Sequence, residues 1–67
     1  MTTYKVITRY YDIWGTFMEK EEETISREQA FGAASIYMMN PECESCYIYQ
    51  YLPDSSVPRK LLTYHDR

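Results

Sequence analysis

Sixty-seven residues leave room for one domain with one core, since a chain of this size removes only about 60% of its unfolded surface from water. An apolar fraction of 45%, with 16% aromatic residues, excludes a disordered chain, whose signature is low hydrophobicity and high net charge. A net charge of -3 and a pI near 4.9 count against a general nucleic-acid binder, which needs clustered Lys and Arg.

The chain opens Met-Thr-Thr-Tyr-Lys, without an apolar stretch like that of a signal peptide, and no run is long enough to span a bilayer. A secreted domain this small is usually stapled by several disulfides, whereas only Cys43 and Cys46 occur here. A cytoplasmic protein without a membrane partner is the expectation.

In chain order, Thr3 to Tyr11 is rich in β-branched and aromatic residues and predicts a strand. Val6 and Tyr10 alternate with Ile7 and Tyr11, so periodicity leaves its inward face open. Asp12 to Gly15 predicts a turn. Thr16 to Thr24 predicts a second strand, whose polar stretch Glu19-Lys20-Glu21-Glu22-Glu23 suits a sheet edge, where charge deters pairing with other chains; an extended tail is the alternative.

Ser26 followed by Gln29 has the spacing of a capping box, with Ile25 placed to staple against Ala30, so a helix is predicted to start at Arg27. At 100° per residue Ala30, Phe31, Ala33, Ala34, Tyr37 and Met38 share one face, and Ile36 and Met39 fall outside it. Asn40 can take the left-handed conformation that ends helices and Pro41 cannot continue one, which puts the end near Met39. Cys46 to Leu52 predicts a third strand, Pro53 to Pro58 a loop, and Arg59 to Tyr64 a fourth strand.

The fold class is therefore α+β: a single domain, β-β-α-β-β, with an antiparallel sheet and one amphipathic helix on one face. The strand order is not specified. In the third strand Tyr47, Tyr49 and Tyr51 share one parity, while Cys46, Ile48, Gln50 and Leu52 share the other. Ile48 and Leu52 are assigned to the helix side and the three rings to the open side; rings packed on the helix are the alternative.

Tyr provides a large, stiff, amphipathic contact at low entropy cost, so Tyr47, Tyr49 and Tyr51 are candidate partner-binding residues, with Tyr10, Tyr11 or Trp14 extending the row. The plainer reading is that Tyr forms strands well and pairs across them. Glu19, Glu21, Glu22 and Glu23 could dock on a basic groove and imitate phosphates, with Asp12 and Glu28 nearby; a solvated edge strand is the plainer reading. Exposed rings on a sheet also stack bases in single-strand binders, which add a basic groove; Lys5, Arg9, Arg59 and Lys60 would supply one if the first and last strands were neighbours.

Cys43-Glu44-Ser45-Cys46 is a lone C-x-x-C. With His65 as the only other good candidate, one chain cannot close a tetrahedral zinc site from Cys and His alone, so Glu42, Glu44 or a second subunit would have to help; the motif also precedes a strand where a redox pair would sit at a helix N-terminus, so two structural thiols and no metal or cofactor are expected. His65 and Asp66 lack a positioned nucleophile, and an enzyme is not expected.

In size, acidity, Tyr content and element order, carried by Tyr47 to Leu52, the Ser26 to Asn40 helix and Glu19 to Glu23, the chain resembles small inhibitors of phages and mobile elements, anti-CRISPR proteins among them. The resemblance implies a non-enzymatic protein that occupies a host protein or ribonucleoprotein complex, such as a CRISPR effector, at or near its nucleic-acid-binding surface, without itself binding nucleic acid. Two alternatives are a sheet-surface binder of single-stranded nucleic acid and a homodimer whose rings meet across a two-fold axis.

Overall fold

The computed structural model describes residues 1–65. The elements are β1 (Thr3–Tyr11), β2 (Phe17–Thr24), α1 (Arg27–Met38), β3 (Cys43–Tyr51) and β4 (Arg59–His65), the β-β-α-β-β order that hydrophobic periodicity predicts. They form one antiparallel sheet in the order β2-β1-β3-β4.

β1 turns into β2 through a loop that its sequence closes tightly. The Asp12 carboxylate accepts the backbone N–H groups of Trp14 and Thr16, both at 2.9 Å. Gly15 donates its N–H to the Asp12 carbonyl at 2.9 Å and sits at φ 79°, a conformation that glycine enters without Cβ strain. β2 then runs along one edge of the sheet, as its charge suggests.

The helix starts at Arg27, where Ser26 Oγ accepts the Gln29 N–H at 3.1 Å. The capping box is only half made. Gln29 Oε1 accepts the Thr24 hydroxyl at 2.9 Å, and Thr24 in turn takes the Ser26 N–H that Gln29 would have taken. The expected staple is absent too, because Ile25 is 66% exposed. The helix stops at Met38, with Met39 as its cap. Asn40 does not end it in a left-handed turn, since among the described residues only Gly15 has positive φ. Instead the Asn40 side chain accepts the Glu42 N–H at 2.9 Å and its carbonyl accepts the Cys43 N–H at 3.0 Å, which launches β3 at Cys43, three residues before the predicted start at Cys46.

α1 rests mainly on β3 and β1, less on β2 and least on β4. Ala30 and Ala34 are fully buried, and their small side chains let the helix lie close over Tyr4, Val6, Cys46 and Ile48. β1 thus turns Tyr4, Val6 and Thr8 inward, resolving the face that its pattern left open. Phe31, Tyr37, Met38, Leu61, Leu62 and Tyr64 close the margin of this core. Leu52 does not join it: it lies past the end of β3 and is exposed.

Two irregularities break simple alternation. Between β1 and β3 the pairing passes from Arg9↔Ser45 to Tyr10↔Cys43, so Glu44 is the additional residue, and Cys43 and Cys46 both end up buried despite their odd spacing. Between β3 and β4 it passes from Ile48↔Leu62 to Tyr49↔Lys60, so Leu61 is the additional residue. Leu61 and Leu62 both pack against the core, and Lys60, which straight alternation would place beside Leu62, is carried to the opposite face.

Candidate functional site

The face that α1 leaves open is built from alternate residues of four strands. β3 contributes Tyr47, Tyr49 and Tyr51, which stand opposite Ile7, Lys5 and Thr3 of β1. β2 contributes Glu23, Glu21 and Glu19, opposite Lys5, Ile7 and Arg9, and β4 contributes Lys60 and Thr63 opposite Tyr49 and Tyr47. All three rings are half-buried, on strand positions that alternate with the helix-facing Cys46 and Ile48. The tyrosine row therefore lies where the alternation in β3 assigns it.

Cations are interleaved with the rings. Lys5 Nζ lies 5.3 Å from the centroid of Tyr51, Arg9 lies 5.5 Å from that of Tyr47, and Lys60 lies 5.5 Å from Tyr47 and 5.8 Å from Tyr49. Each distance is within reach of the ring quadrupole. Tyr47 is the hub. Its ring also meets Tyr49 at 6.4 Å and His65 edge-on at 5.5 Å, and its hydroxyl is 3.3 Å from His65 Nε2.

The same cations are held by the acidic strand. Arg9 Nε donates to Glu19 at 3.0 Å, and Lys5 lies 3.5 Å from Glu21. The Glu19 hydrogen bond, with the charges of Glu19, Tyr47 and Glu44, raises the Arg9 pKa against the opposing effect of desolvation. On this face Lys5, Arg9 and Lys60 are balanced by Glu19, Glu21 and Glu23, so the rings sit in a lattice of alternating charge with no net sign.

One residue of the acidic run and two of those proposed to extend the row lie elsewhere. Glu22 has the opposite parity from Glu21 and Glu23: it turns to the helix side, stands opposite Val6, accepts a hydrogen bond from the Tyr37 hydroxyl and lies 3.9 Å from Lys20. That tyrosine, ahead of Glu22, raises the pKa of Lys20. Tyr10 also lies on the helix side, where with Thr8, Lys20, Tyr37, Asn40 and Cys43 it lines a cavity of about 150 Å³. Trp14 is 83% exposed at the tip of the β1–β2 turn and does not extend the row. Tyr11 keeps the open-face parity, and its ring meets Phe17 edge-on at 5.3 Å.

Lys5, Arg9 and Lys60 reach the rings without β1 and β4 being neighbours, because β3 lies between them and receives cations from both sides. Arg59 stands opposite Gln50 and falls on the other face. Lys60, named from the sequence as a candidate cation, reaches the rings by way of the Leu61 bulge, which is invisible in the alternation, and no sequence signal marks His65 as a member of this cluster.

The C-x-x-C thiols are part of the core. Cys43 Sγ is 3.6 Å from the Ser45 carbonyl oxygen, and Cys46 Sγ is 3.7 Å from Thr8 Oγ1. Burial pushes the Cys46 thiol pKa up, against hydrogen bonds that lower it. Among the described residues no group of three or more His, Cys, Asp or Glu is gathered to hold a metal, and no helix is long and apolar enough to cross a membrane. Asp66, considered beside His65 in the sequence, lies outside the described residues. No protein-family model, curated protein or solved structure matches this chain.

Proposed function

We propose that the protein is a non-enzymatic binding module that docks through its open sheet face onto a protein or ribonucleoprotein partner, as a phage or mobile-element inhibitor covering a nucleic-acid-binding surface. The observation that carries this reading is the row Tyr47, Tyr49 and Tyr51 on the face away from the helix, interleaved with Lys5, Arg9 and Lys60. Tyr and Arg are the residues in which interface energy concentrates, and rings pre-set by their neighbours lose little entropy on docking. Glu19, Glu21 and Glu23 add carboxylates roughly 7 Å apart along the β2 edge, the two-residue repeat of a strand. A row of that kind suits a basic groove shaped for phosphates.

One observation favours a second reading. Cations interleaved with rings are what single-strand binders use for phosphates and bases. The equal number of carboxylates on the same face weighs against it, because affinity for phosphate draws on uncompensated positive charge.

The test is to replace Tyr47, Tyr49 and Tyr51 together with Thr, which keeps strand propensity, and to measure affinity for purified CRISPR effector ribonucleoproteins by calorimetry. The expected result is binding by the natural chain and a loss of roughly a hundredfold in the variant, the size of one or two interface hot spots. Unchanged affinity would remove the face from the mechanism. Failure to bind any effector, with steeply salt-dependent affinity for a single-stranded oligonucleotide instead, would establish the second reading.

A further inference from the structure

The end of the sheet where β1 turns into β2 carries a cleft that neither the tyrosine row nor the core uses. Its volume is about 630 Å³, and it lies between that turn and the loop joining α1 to β3, with Tyr10, Tyr11, Asp12, Ile13, Trp14 and Glu42 in its lining. Both walls are fixed by hydrogen bonds. Asp12 holds the turn through Oδ1 alone, which accepts the N–H groups of Trp14 and Thr16. Asn40 holds the opposite loop by accepting the Glu42 N–H, and the Tyr11 N–H donates to the Glu42 carbonyl at 3.1 Å, which ties the two walls together. The cleft is therefore formed before any ligand arrives.

Elsewhere this fold repeats one arrangement: a cation held between a ring and a carboxylate. Lys5 has Tyr51 and Glu21, Arg9 has Tyr47 and Glu19, and Lys20 has Tyr37 and Glu22. The cleft contains the ring and the carboxylate without the cation. Asp12 and Glu42 line it and no lysine or arginine does. Among the described residues neither of these carboxylates is in an ion pair, and the contacts between cations and rings fall on Phe31, Tyr37, Tyr47, Tyr49 and Tyr51, never on Tyr11 or Trp14. Lys20, which acts on Tyr10, lines the adjoining cavity on the helix side instead. Trp is the ring that attracts cations most strongly, and the indole of Trp14 stands exposed.

We infer that this cleft takes an arginine side chain presented by a partner polypeptide, with the guanidinium stacked on Trp14 and paired with the carboxylates of Asp12 and Glu42. A guanidinium is planar and weakly hydrated, so it can lie flat on an indole while its N–H fork reaches a carboxylate, which a compact, strongly hydrated ammonium does less well. The exposed side chain of Ile13 offers apolar surface to the aliphatic stem. The volume falls in the range of roughly 300–1,000 Å³ that encloses ligands larger than one side chain, which leaves room for the residues flanking the arginine. The inference does not depend on what the tyrosine face binds.

Trp14 is the only tryptophan of the chain, so its fluorescence reports the cleft directly. The probe is an end-blocked Gly-Arg-Gly peptide titrated into the full chain and followed by that fluorescence and by backbone amide NMR shifts, with lysine or neutral citrulline replacing arginine in two control peptides. The expected result is saturable binding in the millimolar range with shifts gathered at residues 10–15 and 40–42, affinity roughly fivefold lower for the lysine peptide, and no saturation by the citrulline peptide. Glu42→Gln and, read by NMR alone, Trp14→Ala are each expected to weaken binding roughly fivefold or more. Both positions are exposed, and circular dichroism checks that each variant is folded. The chain with Thr at positions 47, 49 and 51 is expected to bind the peptide like the natural one, which separates the cleft from the docking face. Absence of saturation, equal affinity for the lysine or citrulline peptide, or indifference to both cleft variants would overturn the inference. Shifts centred on the tyrosine row instead of Trp14 would overturn it as well.

Discussion

Tyr47 and Ile48 are consecutive residues of one strand, and the division of the sheet into a core face and a docking face makes opposite demands of them. Ile48 is fully buried, stands between Val6 and Leu62 and lies beneath Ala30 and Ala34. Truncation to Ala leaves a cavity that a close-packed small core cannot collapse, and it is expected to cost about 2–5 kcal/mol. A domain of this length has roughly 3–10 kcal/mol in all, so Ile48→Ala removes a large share of the stability. Tyr47 is the larger side chain. Its ring, however, is only half-covered, and Tyr47→Ala forfeits that partial burial and its ring contacts, about 1–2 kcal/mol. Urea unfolding followed by far-ultraviolet circular dichroism measures both, with the midpoint read at unchanged slope. The expected order is a much greater loss for Ile48→Ala, although it deletes far fewer atoms. A Tyr47→Ala variant as unstable as Ile48→Ala would mean that the ring is core, and the open face would not exist.

Further outcomes follow from local geometry. Ser26→Ala removes the side-chain acceptor of the Gln29 N–H and is expected to cost about 1 kcal/mol in the same urea assay, without altering the sheet. Gly15→Ala meets no atom within 4 Å, so its cost should be backbone strain alone, about 1 kcal/mol, measurable as a shift in the unfolding midpoint. Cys46 has its thiol pKa raised in the fold, so the native state keeps a proton that the unfolded chain releases from about pH 8.5 upward. The associated stability is complete below that pH and is lost as pH rises toward the folded pKa; unfolding at pH 7.5 and 9.5, compared with Cys46→Ala, should show a smaller decline in the variant. The native Cys46 thiol should also resist a thiol-specific reagent at pH 8 until urea is added.

How much of this was legible in the sequence varied with the range of the interaction that decides each feature. β1 begins and ends where its residue types predict, and the helix starts where Ser26 marks it, because strand propensity and capping are local. The inward face of β1 was not legible, because apolar residues occupy both parities and only contact with Ala30 and Ala34 selects Tyr4 and Val6. The acidic stretch read as one unit, although alternation sends Glu22 to the side opposite Glu21 and Glu23 once the segment is a regular strand. Parity alone could have removed Glu22, and likewise Tyr10 once Val6 is known to face inward. The Glu44 and Leu61 bulges leave no trace in composition, and they decide where Cys43 and Lys60 point.

The position of β3 explains why the rings form a lattice rather than a hydrophobic stripe. As a central strand it is flanked by β1, whose open-face residues include Lys5 and Arg9, and by β4, whose bulge returns Lys60 to that side. A strand of alternate tyrosines at an edge would have one such neighbour and a bare flank. Between two strands each ring has a cation within 6 Å, and two of those cations are in turn fixed by Glu19 and Glu21 of β2. The lattice therefore spans the sheet from the acidic edge through β1 and β3 to β4, and changes at β2 should be felt at the rings. Glu19→Ala releases Arg9 from its hydrogen-bonded carboxylate and leaves it the Tyr47 face and the charge of Glu44. If the lattice is a unit, that single change at the far edge should alter the aromatic proton shifts of Tyr47 in an NMR spectrum while leaving those of Tyr51, which depends on Lys5, in place. Shifts at neither ring would mean that the tyrosines stand independently and that the acidic strand serves only to guard its edge.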